Sequence, residues 1–233
     1  DALQLTKVKQ FAPAVVMFYI SIACNMRLLA RATVDTFIVI RSVAPILTHV
    51  GEVFLLGADW PNRDAWLALL VISMGALGFA HNNLSQMSDP VVLFWASTYL
   101  LCITADMLIV KRVITAIKLK PWGYVYYNNL LALCVYPFWS VLTGEEIGRT
   151  EGLEDTSVMI SVATSCVLGL GISFFGLNTR LALSATAFTV LGAACKFLSI
   201  FLNMAVWHHH APHPALPWLL LALSGSLFYQ RVT

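Results

Sequence analysis

The segment YVYYNNLLALCVYPFWSVLTGE, residues Tyr124 to Glu145, is nearly all apolar and carries no charge before its last residue. An α-helix needs about 20 consecutive apolar residues to cross the hydrocarbon core of a bilayer, and this segment has that length. Its apolar character is broken mainly by two consecutive asparagines, Asn128 and Asn129, one turn inside its start. The segment therefore predicts a transmembrane helix that carries a polar pair.

The whole chain has the composition of a polytopic membrane protein. Of its 233 residues, 59% are hydrophobic and 11% are charged, and the mean hydropathy is +0.78. Such a chain is too apolar and too sparsely charged for a soluble globular domain, so the lipid bilayer is its expected surroundings. The net charge of +2, with no stretch that interleaves basic and aromatic residues, argues against a nucleic-acid partner.

Eight apolar segments of spanning or near-spanning length follow one another, separated by turn-rich pieces such as GADWPNRD and KLKPWG. They predict an all-α fold, a polytopic membrane helix bundle with eight transmembrane helices. The segments are residues 11–30, 32–56, 65–81, 91–115, 122–143, 157–175, 182–206 and 215–230.

The distribution of lysine and arginine predicts that both termini lie in the cytosol. If the segments alternate in direction, nine basic residues fall on one side of the membrane and three on the other. The richer side is expected to be the cytosolic one. The acidic loop GEEIGRTEGLED lies on the opposite side, where we expect it to be solvated.

Two cations lie near the middle of apolar segments, Arg41 in the second and Lys196 in the seventh. A cation at membrane depth costs at least about 2.5–3.5 kcal/mol, so each should face the bundle interior or an aqueous cavity and have an anionic partner. That partner is either a ligand or an internal carboxylate, for which Asp35 and Asp106 are the candidates. Glu52, near the cytosolic end of the second segment, is expected to reach water.

The seventh segment has a face of small and polar residues. They recur at spacings of three and four, which places them along one side of a helix and predicts that this side faces a wet cavity. A glycine on such a face admits either a ligand or a closely packed helix, and the residues leave both open. The members of the face are Thr189, Gly192, Lys196, Ser199 and Asn203.

The asparagine pair also admits two interpretations. Neighbours on a helix point about 100° apart, so one amide can bond a neighbouring helix while the other lines a cavity. Amides suit the mixed donors and acceptors on the edge of a purine, and Tyr126 or Tyr127 offers a ring for stacking. Interhelical hydrogen bonding without a ligand is the alternative, and the chemistry alone leaves it open.

Catalytic and metal sites are not predicted. No carboxylate pair, Ser/His/Asp arrangement or metal-spaced cluster shares a common depth, which argues against an enzyme, and no cofactor is expected. The five cysteines lie inside apolar runs at no paired spacing and predict neither disulfides nor a zinc site. A solvated loop is expected, rather than a metal site, for the tract of His208, His209, His210 and His213.

Several segments together resemble the nucleotide-sugar transporters that use GDP-sugars, within the drug/metabolite transporter superfamily. YYNNLLAL resembles the F-Y-N-N-L motif, and SATAFTVLGAACK resembles the segment that ends in G-A-L-N-K. The order and spacing of FYISIACNMRLL, TFIVIRSVAPI, GEVFLLG and LNMAVW resemble the plant-type GDP-fucose, GDP-galactose and GDP-mannose branch. The likeness runs over nearly the whole chain.

The resemblance implies one transporter domain over residues 1–233, with the third to tenth helices of a ten-helix fold built from two inverted halves. Residues 11–81 would be the remainder of the first repeat and residues 91–230 the second. The implied activity is the exchange of a cytosolic GDP-sugar for luminal GMP across the Golgi membrane, and a homodimer is an allowed assembly. A related exporter of phosphorylated or other small metabolites is the alternative.

The resemblance also implies which residues bind the substrate. The asparagine motif would read guanine, and the second motif would face the sugar and the phosphates. Arg41 and Lys196, from pseudo-equivalent helices of the two halves, would meet the diphosphate near the midplane. The residues carried over to the motifs are Tyr126, Asn128, Asn129 and Ser173 for the base, and Gly192 and Lys196 for the sugar and phosphates.

Two positions depart from the GDP-mannose pattern in ways that bear on the sugar. This chain has Phe188 where that pattern has a tyrosine, and Cys195 where it has an asparagine before the lysine. Each departure removes a group that can bond a sugar hydroxyl, and such losses change substrate preference. The more apolar lining favours fucose, a deoxy sugar, over mannose.

Overall fold

The computed structural model describes residues 4–32, 34–79, 89–117, 119–144, 156–206 and 216–232. These residues form eight α-helices and no strand, which confirms the predicted all-α membrane helix bundle. The helices are α1 (Leu5–Leu29), α2 (Val34–Gly51), α3 (Arg63–Phe79), α4 (Pro90–Ala116), α5 (Pro121–Thr143), α6 (Thr156–Ala182), α7 (Ala185–Val206) and α8 (Leu216–Val232). The histidine tract and all but the first residue of the acidic loop lie outside the described residues, so both expectations stay predictions.

Within the part of the chain that the structure describes, three helices, α1, α4 and α6, are long and apolar enough to cross a membrane by length and composition. The most apolar of them is α6, with a mean hydropathy of 2.1 over a spanning stretch of which no residue is buried. It continues to Ala182, seven residues past its predicted end, through Asn178 and Arg180. Hydropathy marks where the hydrocarbon ends, whereas backbone hydrogen bonding continues for as long as the residues favour a helix.

A π-helical turn, Glu52–Leu56, continues α2 beyond its last α-helical residue. It ends at Gly57, which adopts a left-handed backbone conformation with φ of 69° and donates its N–H to the carbonyl of Glu52. Glycine has no side chain to oppose this conformation, so the chain stops its helix there and turns towards α3. The predicted second segment ended at residue 56, in agreement with this turn.

Two compact units make up the chain, and their boundaries interleave along the sequence. The first unit comprises Asp1–Tyr19 and Ile109–Ala182, and the second comprises Ile20–Leu108 and Leu183–Thr233. The predicted repeats, residues 11–81 and 91–230, follow one another along the chain and are defined by symmetry, whereas these units are defined by their internal contacts. The division into inverted repeats therefore stays a prediction.

Aromatic rings from α1 and α5 form the core of the first unit. Phe11 stacks on Tyr127 with ring centroids 5.7 Å apart, and the hydroxyl of Tyr127 accepts a hydrogen bond from the N–H of Gln4 at 3.0 Å. The hydroxyl of Tyr124 donates to the carbonyl of Ile114 at 3.0 Å, near the end of α4. Buried hydroxyls need such partners, and these ones join the start of α5 to α1 and α4.

The second unit is built around close packing of α3 on α8. A Cβ added at Gly75 would lie 2.7 Å from the backbone nitrogen of Ala222, so only glycine allows the two backbones to approach this closely. Side chains from α7, among them Val190 and Phe197, complete the same buried cluster. This packing holds α7, which carries the predicted sugar and phosphate residues, against the helices of its unit.

Candidate functional site

The predicted base-binding residues Asn129 and Ser173 lie together in the first unit. The side-chain nitrogen of Asn129 donates a hydrogen bond to the hydroxyl of Ser173 at 3.1 Å, which joins α5 to α6. Asn128 is also half-buried, and the described contacts give it no side-chain hydrogen-bond partner. Because neighbours on a helix point about 100° apart, the two amides were expected to differ. Asn129 bonds a neighbouring helix, and the described contacts leave the amide of Asn128 available to a ligand.

The two neighbouring tyrosines have different environments. Tyr127 is fully buried in the core, so its ring is not available to stack on a ligand. Tyr126 is 49% exposed, and its ring meets the edge of Tyr127 at a centroid distance of 5.7 Å. Of the two candidate rings, Tyr126 is the one that presents a free face.

An aromatic pair that the sequence analysis missed lies on the same two helices. Trp122 of α5 stacks on Phe174 of α6, with ring centroids 4.5 Å apart and an interplanar angle of 30°. Trp122 precedes Asn129 by two helical turns, so both lie on the same face of α5, and Phe174 directly follows Ser173. The sequence signal was weak, because aromatic residues are common throughout this chain.

The two intramembrane cations lie in the second unit, and the contacts that the structure describes for them are with neutral aromatic side chains. The guanidinium of Arg41 donates to the hydroxyl of Tyr99 at 3.0 Å. The ammonium of Lys196 lies 4.8 Å from the ring centroid of Phe37, one turn before Arg41 on α2. Lys196 thus contacts α2 one turn from Arg41, and two cations with no described carboxylate partner are chemically suited to an anionic ligand.

Tyr99 and Phe37 are residues of this cluster that the sequence analysis missed. Their rings pack with centroids 5.2 Å apart, so that α2 and α4 each contribute one aromatic side chain to it. A phenol bonded to an arginine and a phenyl ring facing a lysine hold cations in place without neutralising them. Residues of this kind carry no distinctive spacing, because they come from two helices far apart in sequence.

Of the two internal carboxylates proposed as partners of these cations, the structure describes the side chain of one, Asp106. Asp106 is buried on α4, two turns beyond Tyr99, and makes interactions of its own. The side chain of Asp35 lies outside the part of the chain that the structure describes. The described contacts of Arg41 and Lys196 therefore give no support to a structural ion pair.

The face of α7 that carries Lys196 is open next to Gly192. A Cβ added at Gly192 would meet no atom within 4 Å, so tight helix packing does not account for this glycine among the described residues. Phe188 and Lys196 lie one turn before and after it, on the same side of the helix. Cys195, beside Lys196, is exposed. The positions predicted to face the sugar thus lie around an open stretch of α7.

Other members of the predicted polar face behave differently from Gly192. Thr189 is buried and donates its hydroxyl to the carbonyl of Ala185 at 2.6 Å. Ser199 is exposed and donates to the carbonyl of Cys195 at 2.8 Å. The side chain of Asn203 is outside the described residues. Threonine and serine in a membrane helix commonly bond the carbonyl one turn back, which makes them weak indicators of a wet face.

The expectation that Glu52 reaches water is wrong. Glu52 is 4% exposed, and its carboxylate accepts hydrogen bonds from the backbone N–H groups of Ala185 and Thr186 at 2.5 and 3.1 Å. The hydroxyl of Thr186 donates to the same carboxylate. A buried carboxylate is stable here because the start of a helix offers free N–H groups and a favourable dipole.

Comparison with known proteins gives a consistent result, although no protein-family model matches the chain. GDP-fucose transporter 1 of Arabidopsis thaliana is 40% identical over 230 residues, which cover 96% of this chain and 67% of the relative. GDP-mannose transporter GONST3 of Arabidopsis thaliana is 38% identical over 239 residues, covering 100% of this chain and 64% of the relative. A GDP-mannose transporter of Komagataella pastoris is 23% identical over 230 residues, covering 95% and 63%. The chain spans about two thirds of the length of these relatives.

Proposed function

This chain belongs to the GDP-sugar branch of the nucleotide-sugar transporters, and from that premise we propose that it carries a GDP-sugar across a membrane in exchange for GMP. GDP-fucose is the proposed sugar nucleotide, with GDP-mannose and GDP-galactose as its competitors. The proposed location is the Golgi membrane, with both termini in the cytosol and the GDP-sugar taken up from that side.

The observation that carries the proposal is the pair of cations with neutral partners. Arg41 bonds the hydroxyl of Tyr99, and Lys196 faces the ring of Phe37, so the described contacts within the second unit pair neither cation directly with a carboxylate. Cations at membrane depth are costly, and a bound diphosphate or monophosphate removes part of that cost through charge-assisted hydrogen bonds. Both GDP-sugars and GMP carry such phosphates.

The same pair of cations gives a physical reason for exchange. A carrier that returned empty would have to change conformation with two cations at membrane depth and no counter-anion bound to them. A carrier that returns with GMP keeps a phosphate beside them throughout. Exchange of one guanine nucleotide for another is therefore the favoured cycle.

Recognition of the base is assigned to α5 and α6 in the first unit. The bond between Asn129 and Ser173 holds one amide in a fixed orientation, and Asn128 keeps both a donor and an acceptor for a ligand. Tyr126 offers an exposed ring for stacking. These groups suit the edge and face of guanine.

The experiment that tests the proposal compares two lysines in the full-length protein. Lys196→Gln should weaken GMP binding much more than guanosine binding, because a charge-assisted bond to phosphate is what it removes. Lys111→Gln is the matched control, since Lys111 is also a half-buried lysine on a membrane helix, and its ammonium donates to the carbonyl of Arg180 at 3.0 Å. Lys111→Gln should leave the difference between GMP and guanosine unchanged.

Transport itself is tested with purified protein in liposomes loaded with GMP. Internal GMP should accelerate the uptake of labelled GDP-fucose, and external GMP should compete with it. Equal competition by phosphorylated metabolites that lack guanine would contradict the assignment and favour the alternative, a carrier of other phosphorylated compounds. Equal losses of guanosine and GMP in Lys196→Gln would contradict the role of that lysine.

A further inference from the structure

The carboxylate of Glu52 joins two helices at one end of the second unit. Glu52 begins the π-helical turn that continues α2, and the N–H groups that it accepts belong to the first two residues of α7. Thr186 adds its hydroxyl to this contact. The end of α2 and the start of α7 are thus held together by directional bonds.

The start of α7 also has a cap from the residue that precedes it, so Glu52 adds to that cap from another helix. Ser184 immediately precedes the helix, and its hydroxyl accepts the N–H of Ala187 at 3.0 Å, while its carbonyl accepts the N–H of Phe188. This is the usual arrangement of a serine N-cap, which satisfies one of the free N–H groups at a helix start. Glu52 takes the N–H groups of Ala185 and Thr186, which the serine does not reach, and does so from another helix.

The spacing from this contact to the two cations is the same along both helices. Arg41 precedes Glu52 by eleven residues, and Lys196 follows Ala185 by eleven residues. At a rise of about 1.5 Å per residue, each cation lies roughly 16 Å along its helix from the contact. Since α7 starts where α2 ends, the helices run in opposite directions, and the equal spacing brings Arg41 and Lys196 to one level. Lys196 contacts Phe37, which lies one turn from Arg41 on α2, and this contact agrees with an equal depth for the two cations.

We propose that Glu52 is a positioning residue that fixes the axial register of α7 against α2, where register means the relative position of the two helices along their axes. It brings Arg41 and Lys196 to the same depth without touching either of them. A slip of one residue would displace Lys196 by about 1.5 Å relative to Arg41, which is half the length of a hydrogen bond to a shared phosphate. The role of Glu52 in setting the register is argued from the described contacts alone. Its effect on phosphate binding also rests on the proposed function, in which Arg41 and Lys196 bind a phosphate.

The first test measures the register without any ligand. Nitroxide labels at Phe54→Cys and Leu198→Cys, both exposed positions, report the separation of the end of α2 from α7 in a background with the five native cysteines replaced. Glu52→Gln should broaden the distance distribution or shift it by about 1.5 Å or more, the rise of one helical residue. Ser184→Ala is the matched control, because it removes a cap from the same helix without touching α2, and it should leave the distribution unchanged.

The second test measures the consequence for phosphate, with the native cysteines present. Glu52→Gln and Glu52→Asp should weaken GMP about tenfold, the loss expected for a misplaced charge-assisted bond, and guanosine less than twofold. Asp keeps the charge but shortens the side chain by one methylene, so a purely electrostatic role for Glu52 predicts that Glu52→Asp binds GMP as the wild type does. That result would overturn the proposal.

Two further outcomes separate this inference from the proposed function. If the wild type bound neither GMP nor GDP-sugars, the proposed function would fail, while the label distances would still decide whether Glu52 sets the register. Unchanged distances in Glu52→Gln, and in Glu52→Ala if that variant folds, would overturn the inference whatever the ligand affinities are.

Discussion

At the scale of single residues, the two asparagines illustrate how neighbouring amides can have different roles. Asn129 bonds Ser173 across two helices, and the described contacts leave Asn128 available. We therefore expect Asn128→Ala and Asn129→Ala each to weaken GMP and GDP-sugars by roughly 1–3 kcal/mol, because a buried polar partner is left unpaired. Equilibrium binding of GMP to the purified variants measures this effect.

Thermal unfolding without ligand should separate the two variants. Asn129→Ala also breaks the bond to Ser173 and should lower the melting temperature, whereas Asn128→Ala should not. Normal GMP binding in both variants would exclude the asparagine pair from the base site.

Gly192 is a second residue whose role can be tested by opposite effects on stability and binding. Among the described residues, a Cβ at this position meets no atom of another helix within 4 Å, so alanine should stabilise α7 by about 0.5–1 kcal/mol through its better helix propensity. The same methyl group would occupy the open face on which a ligand is proposed to lie. Gly192→Ala should therefore raise the melting temperature and lower the affinity for GDP-sugar, and a fall in both would point to a packing role instead.

At the scale of elements, α7 brings together the positions that are proposed to select the sugar. Phe188 is half-buried one turn before Gly192, and Cys195 is exposed beside Lys196. A phenyl ring and a thiol bond sugar hydroxyls poorly, so the wild type should prefer GDP-fucose to GDP-mannose. The double variant Phe188→Tyr/Cys195→Asn should shift the preference towards GDP-mannose, with about 0.5–1.5 kcal/mol for each restored hydrogen bond.

Uptake of GDP-fucose, GDP-galactose and GDP-mannose, measured side by side in liposomes, checks this preference. Cys166→Asn is the control, because Cys166 is an exposed cysteine on α6, a helix that carries no part of the α7 motif. A wild type that prefers GDP-mannose would show that Phe188 and Cys195 do not set the sugar preference.

At the scale of the whole molecule, ligand binding should appear as added stability. A ligand that binds only the folded protein stabilises it by about 2.7 kcal/mol at a concentration of 100 times its Kd. GMP should therefore raise the melting temperature of the detergent-solubilised protein in a concentration-dependent way, and CMP at equal concentration should not. A rise of equal size with both nucleotides would mean that the protein binds them through their phosphate and does not select guanine.

The number, order and approximate limits of the helices were determined by the sequence alone. Eight apolar segments predicted eight helices, because a backbone in hydrocarbon has to satisfy its own hydrogen bonds and a helix does so within one segment. The errors were at helix ends, as for α6, since hydropathy reports the membrane boundary and not the last backbone hydrogen bond. The motifs around Asn128 and Lys196 likewise pointed to the branch of the family.

Contacts between helices were decided only by the tertiary structure. Tyr99 and Phe37 become partners of Arg41 and Lys196 because three helices bring them together, and no spacing within one segment encodes that. Glu52 was expected in water because it stands at the end of its span, yet the start of α7, more than 130 residues later, offers two N–H groups and a hydroxyl to it. Burial of a charge depends on partners that only the folded chain supplies, so hydropathy determines which segments enter the membrane and packing determines what each polar side chain meets there.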